Sequence, residues 1–413
     1  MAAHPSQQLT LLALGLAALA VLLLAITILY RANRRQASVR AVDPPRTPGG
    51  EVRATVVTQS APRRRRALGN WVALGLLLCV FGGKYLISAF HPSGQEAPDP
   101  SPSKVTKVRG TSGAEISVAQ YGSPDGQGPT LVFTHGWGAD RRDWRYAIRD
   151  LPPGLHVVAW DLPGLGESSA PPANDFSMST LAKDLDSVVS SLGDRPVILV
   201  GHSIGGMLNL EYARQFPQKL GTSVRGLVQA NTTFTNPIET KKNAELSKKL
   251  QEPLFEPLLH LVAWTSPVAR ALGWLAYQSG LAHLQLAAQS FAGEQTWEQL
   301  DEMARYAYRS SPGVVSRGVL AMLNWDASDV LPRIPIPTLI ISGNEDVTTL
   351  PRASDRMARE IRSSQRIAVS QAAHLGPVEQ HKRYADAIAS FVARVSGGSA
   401  ATPIAQRETK PSR

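Results

Sequence analysis

The sequence has few of the residues that several common chemistries require. It contains one cysteine, Cys79, which excludes an internal disulfide framework and a cysteine-based zinc site. It has no His-Glu-x-x-His, no clustered Cys and His, no P-loop and no Gly-x-Gly-x-x-Gly after a strand. No resident metal or organic cofactor is therefore expected. Basic charge is scarce where a nucleic-acid surface would need it. The formal net charge is +10, yet residues 1–110 hold 14 Lys and Arg against 4 Asp and Glu, and residues 111–413 hold 29 of each sign. The excess belongs to the N-terminal part alone, which excludes a nucleic-acid partner for the main domain and points to membrane topology. Charge is also missing from residues 9–30, a run of 22. As a helix it would be about 33 Å long, enough for a bilayer core of about 30 Å. The preceding MAAHPSQQ has no Lys or Arg, and the run is longer than a signal-peptide core. A retained transmembrane helix is the expectation.

Residues 31–66 follow with ten arginines against Asp43 and Glu51, interrupted by Pro-Pro and Pro-Gly-Gly. Such a loop between two spans is expected on the cytoplasmic side. Residues 67–90 form the second expected span. They are uncharged as far as Gly83, with Lys84 near enough to the far end to snorkel to the interface. Gly75, Gly82 and Gly83 offer small surfaces for helix–helix packing. The expected organisation is a two-pass anchor over 1–90, a Pro/Ser-rich linker over 91–110, a main domain over 111–396 and a polar tail over 397–413. Both termini and the main domain then lie on the non-cytoplasmic side.

The main domain alternates short apolar strands (116–121, 130–133, 156–160, 197–200, 226–230, 338–341 and 366–369) with helical patterns (144–151, 178–192, 352–361 and 378–395). This spacing predicts an α/β fold, a mostly parallel sheet covered by helices on both faces. Residues 231–326 interrupt the alternation with a helical, Leu- and Trp-rich stretch that returns to a strand, which reads as an inserted cap.

At the centre is VILVGHSIGGMLN, residues 197–209. A β-branched strand runs into Gly201-His202-Ser203-Ile204-Gly205, and a helix follows. In that context the pentapeptide is a sharp turn that presents Ser203 beside a helix N-terminus. The chain also carries HGWG at 135–138, DLPGLGES at 161–168, PTLIISGNED at 337–346 and AAHLGPVEQ at 372–380. On these motifs, taken in this order, residues 104–396 resemble the α/β-hydrolase superfamily, in its capped lipase- and esterase-like branch.

A serine hydroxyl needs a base to become a nucleophile, usually a histidine oriented by a carboxylate. Downstream of the cap stand two histidines. His374 falls in the loop after a strand, where open α/β sheets keep their sites, whereas His381 falls in the closing helix and reads as solvated. The resemblance puts the acid at Asp346, with Glu345 as the neighbouring alternative. Asp326 and Asp329 suit surface or capping roles better. The backbone N–H groups of Ile204 and Trp137 are the expected oxyanion donors. His135, Asp161 and His202 read as structural.

The resulting expectation is a membrane-anchored serine hydrolase with Ser203, His374 and Asp346 as nucleophile, base and acid. It needs no cofactor and acts on carboxylic esters, which include lipid-like ones. A C–C bond hydrolase, thioesterase or amidase of the same fold, or a non-catalytic binding module, remains the alternative. The sequence does not specify an oligomeric state.

Overall fold

The computed structural model describes residues 5–33, 63–94, 98–124, 128–240 and 244–397. Most of the arginine-rich loop and the C-terminal tail lie outside the described residues. Two long helices come first, α1 (Pro5–Asn33) and α2 (Arg63–Ser88). The main domain then runs β1 (Lys104–Arg109), β2 (Glu115–Tyr121), β3 (Thr130–Thr134), α3 (Arg145–Asp150), β4 (Val157–Trp160), α4 (Met178–Ser190), β5 (Val197–His202), α5 (Ile204–Gln215) and β6 (Val224–Ala230). Among the described residues the insertion holds the α-helices α6 (Ala244–Lys249), α7 (Glu256–Trp264), α8 (Ser266–Gln278), α9 (Leu281–Gln289), α10 (Trp297–Arg309) and α11 (Pro312–Leu323), with a π-helical turn over Gln251–Phe255. The chain closes with β7 (Thr338–Gly343), α12 (Pro351–Glu360), β8 (Ser364–Val369), α13 (Gly376–Glu379) and α14 (His381–Val395).

Among the described residues, eight strands form one sheet in the order β1-β2-β4-β3-β5-β6-β7-β8. β2 pairs antiparallel with β1 and β4, and every other pairing is parallel. The near-continuous apolar run of β5 has a direct cause, since both faces of that strand are covered. Val197 and Leu199 join the core that includes Leu185 of α4 and Met207 of α5. Ile198 and Val200 join the opposite core, with Ile148 of α3 and Ile388 of α14. Strand order reverses between β3 and β5, which opens a crevice at their C-terminal ends, where sheets of this kind bind ligands.

Two features differ from the expectation. Strand β1 lies inside the segment that reads as linker. KVTKVR is an exposed edge strand carrying three charges, so it lacks the apolar alternation that marks a strand, and its charges suit an edge. The closing helix is broken at Gln380 into α13 and α14. The helical insertion lies between β6 and β7. Its two ends are fastened by a bridge between Thr235 and Asp326, with Ala327 N–H donating to Phe234 O at 2.8 Å.

Residues Ala13–Tyr30 and Ala67–Ser88 are long and apolar enough to cross a membrane. The two helices pack on each other and against α8. Leu199 sits fully buried at the middle of β5. Leu199→Ala should cost about 2–5 kcal/mol, read as a lower thermal midpoint of the detergent-solubilised chain. An unchanged midpoint would contradict the central place given to this strand.

Candidate active site

Ser203 joins β5 to α5 with φ 55° and ψ −118°, a conformation that residues other than glycine rarely adopt. Its neighbours make the turn feasible. A Cβ on Gly201 would lie 2.2 Å from the Gly205 carbonyl carbon, and one on Gly205 would lie 2.4 Å from Thr134 O. Ser203 N–H donates to Ala230 O at 3.0 Å, and Ser203 O accepts from Thr232 Oγ1 at 2.6 Å. The turn is thereby stitched to β6.

The loops after β7 and β8 bring the other two sequence candidates to the same place. His374 Nε2 is 3.1 Å from Ser203 Oγ, and His374 Nδ1 is 3.0 Å from Asp346 Oδ2. All three residues are buried, Ser203 at 1% exposure and His374 at 0%. Asp346 Oδ1 accepts from the N–H groups of Thr348 and Thr349, each at 2.8 Å, and Oδ2 from Thr349 Oγ1 at 2.7 Å. Burial pushes this carboxyl up. The His374 ring and the Thr349 donors outweigh burial, and the net effect holds Asp346 below the usual carboxylate range.

The remaining candidates lie elsewhere. Glu345 accepts from Ala372 N–H at 3.0 Å, Asp326 from Ser328 N–H at 2.9 Å, and Asp329 pairs with Arg214 at 2.6 Å. His381 differs from its expected solvated state. It is partly buried, bonded to Asp150 at 2.5 Å and stacked on Tyr146.

Trp137 lies in the loop after β3 and Ile204 opens α5, and both side chains are fully buried. The Trp137 indole donates to Val315 O of α11 at 2.8 Å. His135 is held by both ring nitrogens, with Nδ1–H donating to Gly136 O at 2.8 Å and Nε2 accepting from Leu162 N–H at 3.0 Å. Burial lowers its pKa and favours this neutral form. Asp161 accepts from the N–H groups of Arg141 (2.7 Å) and Glu167 (3.0 Å), which fixes the turn that follows β4.

Sequence reasoning missed three supports. Asn231, immediately after β6, donates through Nδ2 to Asp346 Oδ2 (3.1 Å) and to Ala373 O (2.7 Å). Its position at a strand end and its positive φ of 43° are the signals that mark it. Asp143 Oδ2 accepts from Gly136 N–H at 3.2 Å and faces His202 Nδ1 at 2.9 Å, and the other nitrogen of His202 lies 2.9 Å from His374 O. Asp143 and His202 together tie the Trp137 loop, the serine turn and the His374 loop to one another.

The family model described as alpha/beta hydrolase fold matches residues 129–380. The chain belongs to the alpha/beta hydrolase fold family. It is 23% identical over 282 residues to the monoacylglycerol lipase ABHD6 of Bos taurus, covering 65% of this chain and 77% of that one. It is 36% identical over 111 residues to bifunctional epoxide hydrolase 2 of Sus scrofa, spanning 26% of this chain and only 19% of that protein. A solved membrane phospholipase A, described as a bacterial virulence factor, superimposes with TM-score 0.55 at 21% identity. That match covers 81% of this chain and 99% of the other.

The third support, Glu379, fastens the hydrolase's His374 loop to the insertion. Its carboxyl accepts from Ala373 N–H at 2.6 Å and from Ala292 N–H at 2.8 Å. Burial pushes its pKa up to about 7. A carboxyl whose folded pKa is raised stabilises the fold at low pH, and that contribution is lost as pH climbs through the folded value. The Glu379 contribution to the unfolding midpoint should therefore fall between pH about 4.5 and about 7, while buried His135 and His202 act in the opposite sense there. The midpoint of Glu379→Gln minus that of the unaltered chain should grow as pH rises through that window, and a difference independent of pH would contradict the assignment.

Proposed function

We propose that this chain is a membrane-anchored serine hydrolase that cleaves carboxylic esters of lipid-like molecules. The reading is carried by the two short contacts made by one imidazole, 3.1 Å to Ser203 Oγ and 3.0 Å to Asp346 Oδ2. A proton kept on Nδ1 by the carboxylate leaves Nε2 as an acceptor. His374 then takes the Ser203 proton as Oγ attacks the ester carbonyl. The Oγ–C bond forms, the carbonyl oxygen becomes an oxyanion, and the N–H groups of Trp137 and Ile204 are assigned to hold it. His374 hands the proton to the departing alkoxide, the C–O bond breaks, and an acyl-Ser203 remains. Water, deprotonated by the same imidazole, repeats the sequence and releases the acid. Ser203 and His374 are buried, so entry of substrate needs surrounding side chains or loops to open.

Two helices of spanning length and the apolar cap support a lipid-like substrate. So do the names of a monoacylglycerol lipase and a membrane phospholipase A among the similar proteins. The arginine-rich loop supports a catalytic domain on the non-cytoplasmic side. The test is turnover of monoacyl esters by the full chain and two variants. Ser203→Ala and Asp346→Asn should each lower kcat by roughly 10⁴-fold, with thermal midpoints near that of the unaltered chain. Undiminished turnover in Ser203→Ala would overturn the reading.

A further inference from the structure

The two N-terminal helices do not hang free of the cap. A Cβ on Gly15 of α1 would lie 2.5 Å from Leu272 Cβ of α8, and a Cβ on Gly83 of α2 would lie 2.2 Å from Ser279 O. Ala18, Val80, Leu272 and Leu275 share one buried cluster, and the rings of Phe81 and Trp274 are 6.1 Å apart. Lys84 Nζ donates to Tyr277 OH at 3.2 Å and lies 4.2 Å over that ring, a contact suited to the water boundary. Ala18 stands nine residues into the uncharged run that starts at Leu9, about 13 Å along a helix. If α1 spans the bilayer, the middle of α8 is therefore inside the hydrocarbon of one leaflet.

The helix before α8 continues this surface. α7 carries apolar residues on both sides: Leu259 and Val262 are buried, while Leu254 just ahead of it, Leu261 and Trp264 are exposed beside the exposed His260, followed by Val268 of α8. These side chains follow one another along the π-helical turn Gln251–Phe255, α7 and the start of α8, and Trp264 is 82% exposed. Exposed large apolar side chains grouped in this way call for an apolar surrounding on their outer side. The continuity of this group with α8, which already lies along α1, identifies that surrounding.

We propose that the cap face carrying Leu254, Leu261, Trp264 and Val268 lies in the hydrocarbon of the leaflet next to the catalytic domain. The cap is then a second membrane element, and the substrate is a lipid drawn from that leaflet. This rests on the reading of α1 and α2 as spans. The interfacial area of a Trp and three aliphatic side chains is enough to hold such a face in place beside two anchors.

The test uses the full chain, with Cys79 replaced by Ala, reconstituted in phosphatidylcholine liposomes. Single cysteines at Trp264, Val268 and, as a control, exposed Ser363 carry an environment-sensitive fluorophore. Lipids with spin labels on their acyl chains should quench the probes at 264 and 268 at least about threefold more than the probe at 363, with blue-shifted emission at the first two. Equal quenching at all three sites, with aqueous iodide reaching 264 freely, overturns the proposal. Alkaline carbonate separates the two layers of the claim. Release of the chain from membranes would sink the span reading and the proposal with it. Retention with a water-exposed probe at 264 would sink the proposal alone.

Discussion

At the end of β5 two stretches of backbone pass closer than any side chain permits, and the site depends on that approach. Gly201 meets Gly205, and Gly205 meets the end of β3, at separations a Cβ would occupy. This contact lets the chain reverse from strand to helix over one residue and holds Ser203 at φ 55°. Such a conformation costs about 1–3 kcal/mol and persists only where the surroundings over-determine it. Here the surroundings are a strand buried on both faces, the Ala230 carbonyl and the Thr232 hydroxyl. The strain is held at the one position whose side chain must stand clear of the sheet.

The imidazole beside Ser203 is fixed by a different device. His374 lies in a loop, and loops are ordinarily the mobile part of a fold. This one is fastened from four directions: Asn231 to Ala373 O, His202 to His374 O, Leu375 N–H to Ser290 O of the insertion, and Ala373 N–H to Glu379. Each bond contributes only about 0.5–1.5 kcal/mol net, but together they leave the imidazole little room to turn. Three of the four involve a residue of 231–326 or one bonded to it. The insertion is therefore coupled to the loop that holds the His374 imidazole.

Legibility in the sequence followed the range of each interaction. The serine turn is local: strand, pentapeptide and helix all lie within 197–209. His374 and Asp346 were readable because they follow strands, and strand ends collect at one rim of a parallel sheet. Asn231 and Asp143 act across 115 and 59 residues of chain, on Asp346 and His202 respectively, and nothing in their neighbourhoods announces those partners. β1 escaped because an exposed edge strand needs no apolar alternation. The glycines of the second helix were misleading in a similar way. Gly75 and Gly82 face open space, and the room at Gly83 is taken by the backbone of the cap, not by the other helix.

These features describe an alpha/beta hydrolase fold whose two long apolar helices, cap and His374 loop pack into one connected body, with the Ser203 hydroxyl held at its centre. The most direct measurement of that claim is mass spectrometry of the full chain in membranes after exposure to a fluorophosphonate ester. The account predicts a single covalent phosphonyl adduct on the peptide containing Ser203. An adduct on another serine, or ester turnover that persists with Ser203 unmodified and the probe in excess, would contradict it.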